Sequence, residues 1–277
     1  MVAVSIDGTI VSPEQAKISV FDRGVLYGDG CFEVLRTWDG VARDLDAHLD
    51  RLFDTARFLG LKHVDRGKLT EDVYRTIAHA GASAPGEHRI RIVLTRGPGA
   101  IGVRFSELPA GHAIVIVEPL HDQPRELSLA VVDWPITAHG PGRKTLAYLE
   151  HLIARELAAA AGADEAVRLD ARGNVVECAT SNLFVVSHAA VVTPPTERGA
   201  LPGVVRARVI ALCGKLGITS HVRDISRREL RGADEIFVTS SLRGIVPITK
   251  LDGVDRRPGP VTARLAQAYA VAMRTAT

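Results

Sequence analysis

Residues 142–150 read Gly-Arg-Lys-Thr-Leu-Ala-Tyr-Leu-Glu, with Gly140-Pro141 just ahead of them. A Gly-Pro-Gly turn thus delivers Lys144 to the start of an alanine-rich stretch in which Leu146, Leu149, Ile153 and Leu157 predict one face of a helix. Two readings of Lys144 compete. It is either a solvated lysine near a helix N-terminus or an amine with a chemical task. An ordinary lysine is protonated at neutral pH, and desolvation or a nearby cation is needed to free it as a nucleophile.

Working outward, the composition says what kind of molecule carries this lysine. The chain has 277 residues, 46% hydrophobic and 24% charged, enough for one large or two medium globular domains. Its formal net charge is +2, and its arginines alternate with acids, so no basic stripe marks a nucleic-acid or membrane surface. The expected partner is a small molecule. Cys31, Cys178 and Cys213 lie far apart with no CxxC spacing, which predicts neither disulfides nor a metal site and suits a reducing cytoplasm. The N-terminal residues read as strand and turn rather than a signal peptide, and no apolar run is long enough to span a membrane.

Before Lys144, Asp7-Gly8 and Asp39-Gly40 are hairpin signals. Leu45, Leu49, Leu52, Phe53 and Ala56 predict a helix ending at Gly60, a second helix is expected over 68–81, and Arg89-Ile90-Arg91 opens a buried strand. After Lys144, strand pairs are expected around Arg172-Gly173-Asn174 and Ser187-His188. A helix then follows Leu201-Pro202-Gly203, with one strand over 218–225, another over 234–241 and a C-terminal helix. The expected architecture is α+β: a small N-terminal α/β domain over 1–120, a polar linker over 121–124, and a larger domain with mixed sheets over 125–277.

A reactive lysine forms Schiff bases with carbonyl compounds, the commonest being pyridoxal phosphate, which also needs a partner for its ring nitrogen and donors for its phosphate. Glu177, in an otherwise apolar strand, is a candidate for the nitrogen, the alternative being an edge-strand glutamate facing water. The N–H groups at Val204 and Val205, opening a helix, form a candidate anion site, as against a plain loop-to-helix turn. Arg51 and the hydroxyls of residues 239–241 are further candidates.

The order of these features resembles the class IV aminotransferases, the pyridoxal phosphate enzymes of fold type IV. The resemblance runs nearly end to end. It is carried by Tyr27-Gly28-Asp29-Gly30-Cys31-Phe32-Glu33, by His48-Leu49-Asp50-Arg51-Leu52, by Lys144 with Tyr148, by Glu177 followed by Thr180-Ser181-Asn182-Leu183-Phe184, by Leu201-Pro202-Gly203, and by residues 234–241. It implies that Lys144 holds the cofactor covalently and moves the substrate proton, and that Glu177 pairs with the ring nitrogen. Tyr148 would lie near the phenolic oxygen, with Arg51, Ser241 and the N–H groups of Val204 and Val205 on the phosphate. It also implies a homodimer in which the segment near Tyr27 completes the other subunit's site.

Substrate choice rests on the residues that hold the carboxylate. The Arg-Ala-His segment of D-amino acid aminotransferases is absent after Thr95-Arg96-Gly97, and at Arg89-Ile90-Arg91 the YxR segment of branched-chain enzymes keeps its arginine as Arg91 while Arg89 replaces its tyrosine. Arg89, Arg91, Arg104 and Arg243 are therefore candidates for the substrate carboxylate, since guanidinium grips carboxylates with two prongs. The expected reaction is ping-pong transfer of an amino group from a D-amino acid to 2-oxoglutarate. The alternatives are aminodeoxychorismate lyase, then branched-chain L-amino acid aminotransferase, and a protein that binds the cofactor without turnover.

Overall fold

The computed structural model describes residues 2–62, 65–83, 86–100, 102, 104–105, 108, 110–134, 136 and 142–275. The chain separates into two compact units, Met1–Asp122 with Lys144–Tyr148, and Gln123–Arg143 with Leu149–Thr277. The expected domains placed Lys144–Tyr148 in the second. The structure moves it to the first because its backbone is bonded to a strand there: the Phe32 N–H donates to the Lys144 carbonyl (3.0 Å) and the Leu146 N–H to the Gly30 carbonyl (2.9 Å).

In the first unit, β1 (Ala3–Ile6) and β2 (Thr9–Val11) form a hairpin closed by Asp7 and Gly8, both at positive φ as a tight hairpin turn demands. A short helix α1 (Arg23–Tyr27) leads to β3 (Gly30–Arg36), followed by helices α2 (Leu45–Phe58) and α3 (Arg66–Ser83) and strands β4 (His88–Thr95) and β5 (Ala113–Pro119). The sheet runs β2-β1-β5-β4-β3, antiparallel throughout. Side chains alternate across a strand, so Cys31, Leu35, Ile90, Ile92 and Leu94 join Leu49, Leu52 and Phe53 of α2 in one core. Phe32 and Arg91 take the other face. Asp39-Gly40 makes its turn at positive φ, but the residues after it pass into α2 after only the Trp38–Val41 bridge instead of forming a second strand.

The second unit comprises β6 (Leu127–Val131), α4 (Leu149–Ala160), β7 (Glu165–Leu169), β8 (Asn174–Cys178), β9 (Asn182–Ser187), β10 (Ala190–Thr193), α5 (Val204–Lys215) and β11 (Ser220–Val222). It continues with β12 (Ile225–Ser226), α6 (Arg227–Gly232), β13 (Glu235–Ser240), β14 (Gly244–Leu251), β15 (Val254–Asp255) and α7 (Pro260–Thr275). The sheet order is β11-β10-β9-β13-β14-β6-β7-β8-β12, with β15 on β14. It is mixed, since β11 on β10, β6 on β14 and β7 on β6 are parallel pairs.

Three expectations change here. The single strand over 218–225 is two: β11 pairs with β10 and β12 with β8. Strand β14 was not expected, because Pro247 lowers its strand signal; the structure accommodates it opposite Phe237. Finally, α4 begins at Leu149, so Leu146 is outside it, and it buries Ala154 and Ala158 while Leu149, Leu152 and Leu157 stay exposed. Ala130 and Ala166 face those alanines in one cluster, and small residues on both sides allow a close approach that leucines would block. Of the expected Gly-Pro-Gly turn, Gly142 is described, at φ +72°; Gly140 and Pro141 lie outside the described residues.

Candidate active site

Lys144 is positioned by the two backbone bonds to β3, with Thr145 bridged to Cys31. Its Nζ lies 4.5 Å from the centre of the Phe32 ring and 5.5 Å from that of Tyr148. Those rings meet edge to face at 5.3 Å and 85°. Arg91 places its guanidinium carbon 4.4 Å from the same Phe32 ring. The Lys144 and Arg91 side chains therefore both approach one aromatic ring, on the sheet face away from α2. Burial, then the neighbouring Arg89 charge, pushes the Arg91 pKa down, so this corner carries positive charge at an electrostatic cost. Phe32 was present in a quoted motif but given no role; its pairing with Arg91 comes from the β3–β4 register.

Gly28 and Gly30 make this docking possible. Gly28 sits at φ +66°, and a Cβ on Gly30 would collide with the Leu94 carbonyl and come within 2.6 Å of Leu146 Cδ1. Gly30→Ala must therefore push the Lys144 segment off β3 or distort β4. We expect a loss of roughly 1–3 kcal/mol in stability, with a larger proportional loss of activity, checked by thermal unfolding and initial rates.

The candidate arginines separate on inspection. Arg89 pairs with Glu118 on β5 (2.5 Å) and is half exposed. Arg104 is exposed. Arg243 turns to the buried Glu165 (3.7 Å), whose carboxylate also accepts hydrogen bonds from Thr180 and Ser181. Arg91 is the candidate brought beside Lys144.

Arg51 takes a place the sequence did not announce. Its Nε and one terminal nitrogen grip Glu33 at 2.6 and 2.8 Å, and His48 Nδ1 meets the same carboxylate at 2.8 Å. Glu33 is fully buried, on the α2 side of β3. A charged residue within a run of apolar strand residues was the signal. Tyr27 is exposed beside Arg23, 5.0 Å from ring centre to guanidinium. Asp29 anchors both Arg23 (2.9 Å) and the buried Arg96 (2.7 Å). Burial works against the charge of Asp29, and the two arginines overcome it, holding the carboxyl below its ordinary range.

In the second unit, Glu177 is buried on β8. Its Oε2 accepts from the Leu201 N–H (2.9 Å) and from Asn182 Nδ2 (3.1 Å), and that amide nitrogen also donates to the Leu201 carbonyl (2.9 Å). Asn182 thereby couples Glu177 to the segment opening α5, and a Cβ at Gly203 would strike it. Gly203 is the N-cap of α5 and supplies no side-chain hydrogen bond, and the first turn holds no acid. Val204 and Val205 thus begin a helix with an uncapped, electropositive end. Thr239, opposite Asn182 in the β13–β9 register, has a buried hydroxyl with no hydrogen-bond partner among the described residues, and Ser241 follows two residues later.

Each unit, taken by itself, carries groups of the kind pyridoxal phosphate needs: the first an amine beside two aromatic rings, the second a buried carboxylate held by N–H donors, a helix N-terminus without a side-chain cap and a buried hydroxyl. Among the described residues no group of His, Cys, Asp and Glu could hold a metal ion, and no helix is long and apolar enough to cross a membrane.

Comparison with known proteins agrees. A Methanocaldococcus jannaschii protein named "Putative branched-chain-amino-acid aminotransferase" is 34% identical, covering 96% of this chain and 94% of its own length. A D-alanine aminotransferase from Listeria monocytogenes is 29% identical, covering 96% and 94%. The crystal structure of a branched-chain aminotransferase from Thermoproteus uzoniensis with norvaline superposes with a TM-score of 0.87 at 30% identity, covering 98% of this chain and 94% of that one. The sequence pattern of the family "Amino-transferase class IV" matches residues 30–251, and the chain belongs to that family of pyridoxal phosphate-dependent aminotransferases.

Proposed function

We propose that the enzyme moves the amino group of a small or branched aliphatic amino acid to 2-oxoglutarate, with Arg91 receiving a substrate carboxylate beside Lys144. The observation that carries this reading is the placement of both cations against Phe32. Pyridoxal phosphate, when bound, supplies an aldehyde and an electron-withdrawing ring that stabilises the charge left on the substrate Cα. The chain does the rest. Lys144 would hold the cofactor through its amine and carry the proton taken from the substrate Cα. Glu177, fixed by Leu201 and Asn182, would hold a proton at the ring nitrogen. Tyr148 orients the ring through its phenolic oxygen. Val204, Val205, Ser241 and Arg51, the last held by Glu33, serve the phosphate.

The donor's configuration is a finer matter. The 34% relative favours a branched-chain L-amino acid. The D-amino acid donor expected from the sequence is the second reading, supported by D-alanine aminotransferases at 25–29% identity. Purified enzyme is assayed with L-leucine, D-alanine and D-glutamate, each against 2-oxoglutarate. Turnover with L-leucine alone supports the first reading, and turnover with D-substrates alone replaces it with the second. Release of pyruvate from aminodeoxychorismate, with no transamination, removes both. In the same assay, Arg91→Ala is expected to raise KM for 2-oxoglutarate by roughly 10- to 100-fold, the cost of losing a charge-assisted bidentate contact. An unchanged KM would remove Arg91 from the carboxylate site.

The reading includes a homodimer with the Tyr27 segment at the interface. Helix α1 has no buried residue, and Val20, Phe21, Val25, Leu26 and Tyr27 are all exposed, an apolar run that needs a cover. Sedimentation at twice 29.7 kDa supports it, and a monomer at working concentration counts against it.

A further inference from the structure

We propose that Arg206 makes the start of α5 selective for a phosphate-bearing cofactor, acting through the charge it adds there and not by touching the substrate. The proposal rests on the reading that this chain binds pyridoxal phosphate, and extends it to a residue to which the motif reading gave no role.

Arg206 lies in the first turn of α5 and is 8% exposed. Its Nη2 donates to the Pro194 carbonyl (2.9 Å) and its Nε to the Thr193 hydroxyl (3.4 Å). Both acceptors are neutral. No ion pair within 4 Å joins Arg206 to a carboxylate among the described residues. Burial lowers its pKa, with Glu197 and Glu177 pulling the other way from a distance. Glu197 is exposed, and Glu177 is engaged by Leu201 and Asn182.

A buried guanidinium satisfied only by neutral oxygens bears much of its desolvation cost uncompensated. Its position adds to that cost, because the first turn of a helix already presents positive partial charge and disfavours a cation. The usual compensations are missing: Gly203 brings no side-chain cap and the first turn brings no acid. The N–H groups of Val204 and Val205, the helix dipole and Arg206 therefore combine into positive charge that a phosphate dianion offsets and a neutral ligand does not. As a positioning residue, Arg206 sets affinity for the phosphate and leaves the aldehyde end of the ligand untouched.

The test uses apoprotein titrated with pyridoxal phosphate and, separately, with pyridoxal, which lacks the phosphate, followed by quenching of tryptophan fluorescence. Wild type, Arg206→Gln and Arg206→Lys are compared after circular dichroism confirms folding. Arg206→Met takes the neutral place if Arg206→Gln does not fold. Wild type is expected to prefer the phosphorylated ligand. The neutral variant is expected to lose about tenfold or more of that preference while binding pyridoxal as wild type does, and Arg206→Lys to keep most of it. The proposal is overturned if the neutral variant retains the preference, if it weakens both ligands alike, or if the lysine variant loses as much as the neutral one. Failure of wild type to bind either aldehyde sinks the functional reading itself, and the proposal with it.

Discussion

Lys144→Ala is expected to lower kcat by roughly 10³-fold or more, because one side chain both holds the cofactor and carries the substrate proton. The fold should survive. Lys144 enters the first unit through backbone bonds, the Phe32 N–H to its carbonyl and the Leu146 N–H to Gly30, and those persist when the side chain is cut back. Circular dichroism and the thermal midpoint should therefore stay near wild type while the cofactor's visible absorption is lost. Added methylamine should restore a small part of the rate, since a free amine can replace the missing base. Turnover within tenfold of wild type would remove Lys144 from the role given to it.

Glu33→Ala is expected to have the largest effect on stability, a loss of about 3–5 kcal/mol, because it leaves two buried partners without their counter-charge. Glu33 is fully buried, Arg51 Nε lies 2.6 Å away and His48 Nδ1 2.8 Å, with both partners largely buried too. The pH dependence follows. Burial alone would raise the Glu33 pKa, but the charge and hydrogen bonds of Arg51, joined by His48, bring it from an ordinary 4.5 down to about 2. A carboxyl with a lower pKa folded than unfolded contributes its full stabilisation above the unfolded value and loses it as pH falls toward the folded one. The gap in unfolding free energy between wild type and Glu33→Gln should therefore be level above about pH 5 and close as pH falls through 4.5 toward 2. A gap that does not change with pH would show that the Glu33 pair contributes by packing. Weakened pyridoxal phosphate binding in the same variant would further tie Glu33 to the orientation of Arg51.

Much of this protein was legible one residue at a time. The Asp7-Gly8 hairpin, the Asp39-Gly40 turn, the apolar repeat of α2 and the apolar strands β4, β5 and β13 depend on turn chemistry and periodicity, which neighbouring residues carry without help from the rest of the chain. The order of motifs was enough for family and cofactor. The proline of β14 and the leucines of α4 misled for a matching reason. Strand status there depends on which partner the chain meets, and the buried face of a helix depends on what it is packed against; the alanines opposite α4 chose alanines.

The sequence by itself determined the chemistry available: a lysine after a turn, a glutamate in an apolar strand, a helix opening on glycine, and a surplus of arginines. Only the tertiary structure decided which of these meet. Phe32 meets both Lys144 and Arg91 because β3 pairs with β4 in a register that sets Phe32 opposite Val93 and Val34 opposite Arg91, and because the Lys144 segment is bonded along the free edge of β3. The same alternation turns Glu33 to the other face, where it claims Arg51. Adjacent residues on a strand point to opposite sides, and strand partners are far apart in the chain. The pairing of charges is therefore set by long-range register, which no local pattern encodes.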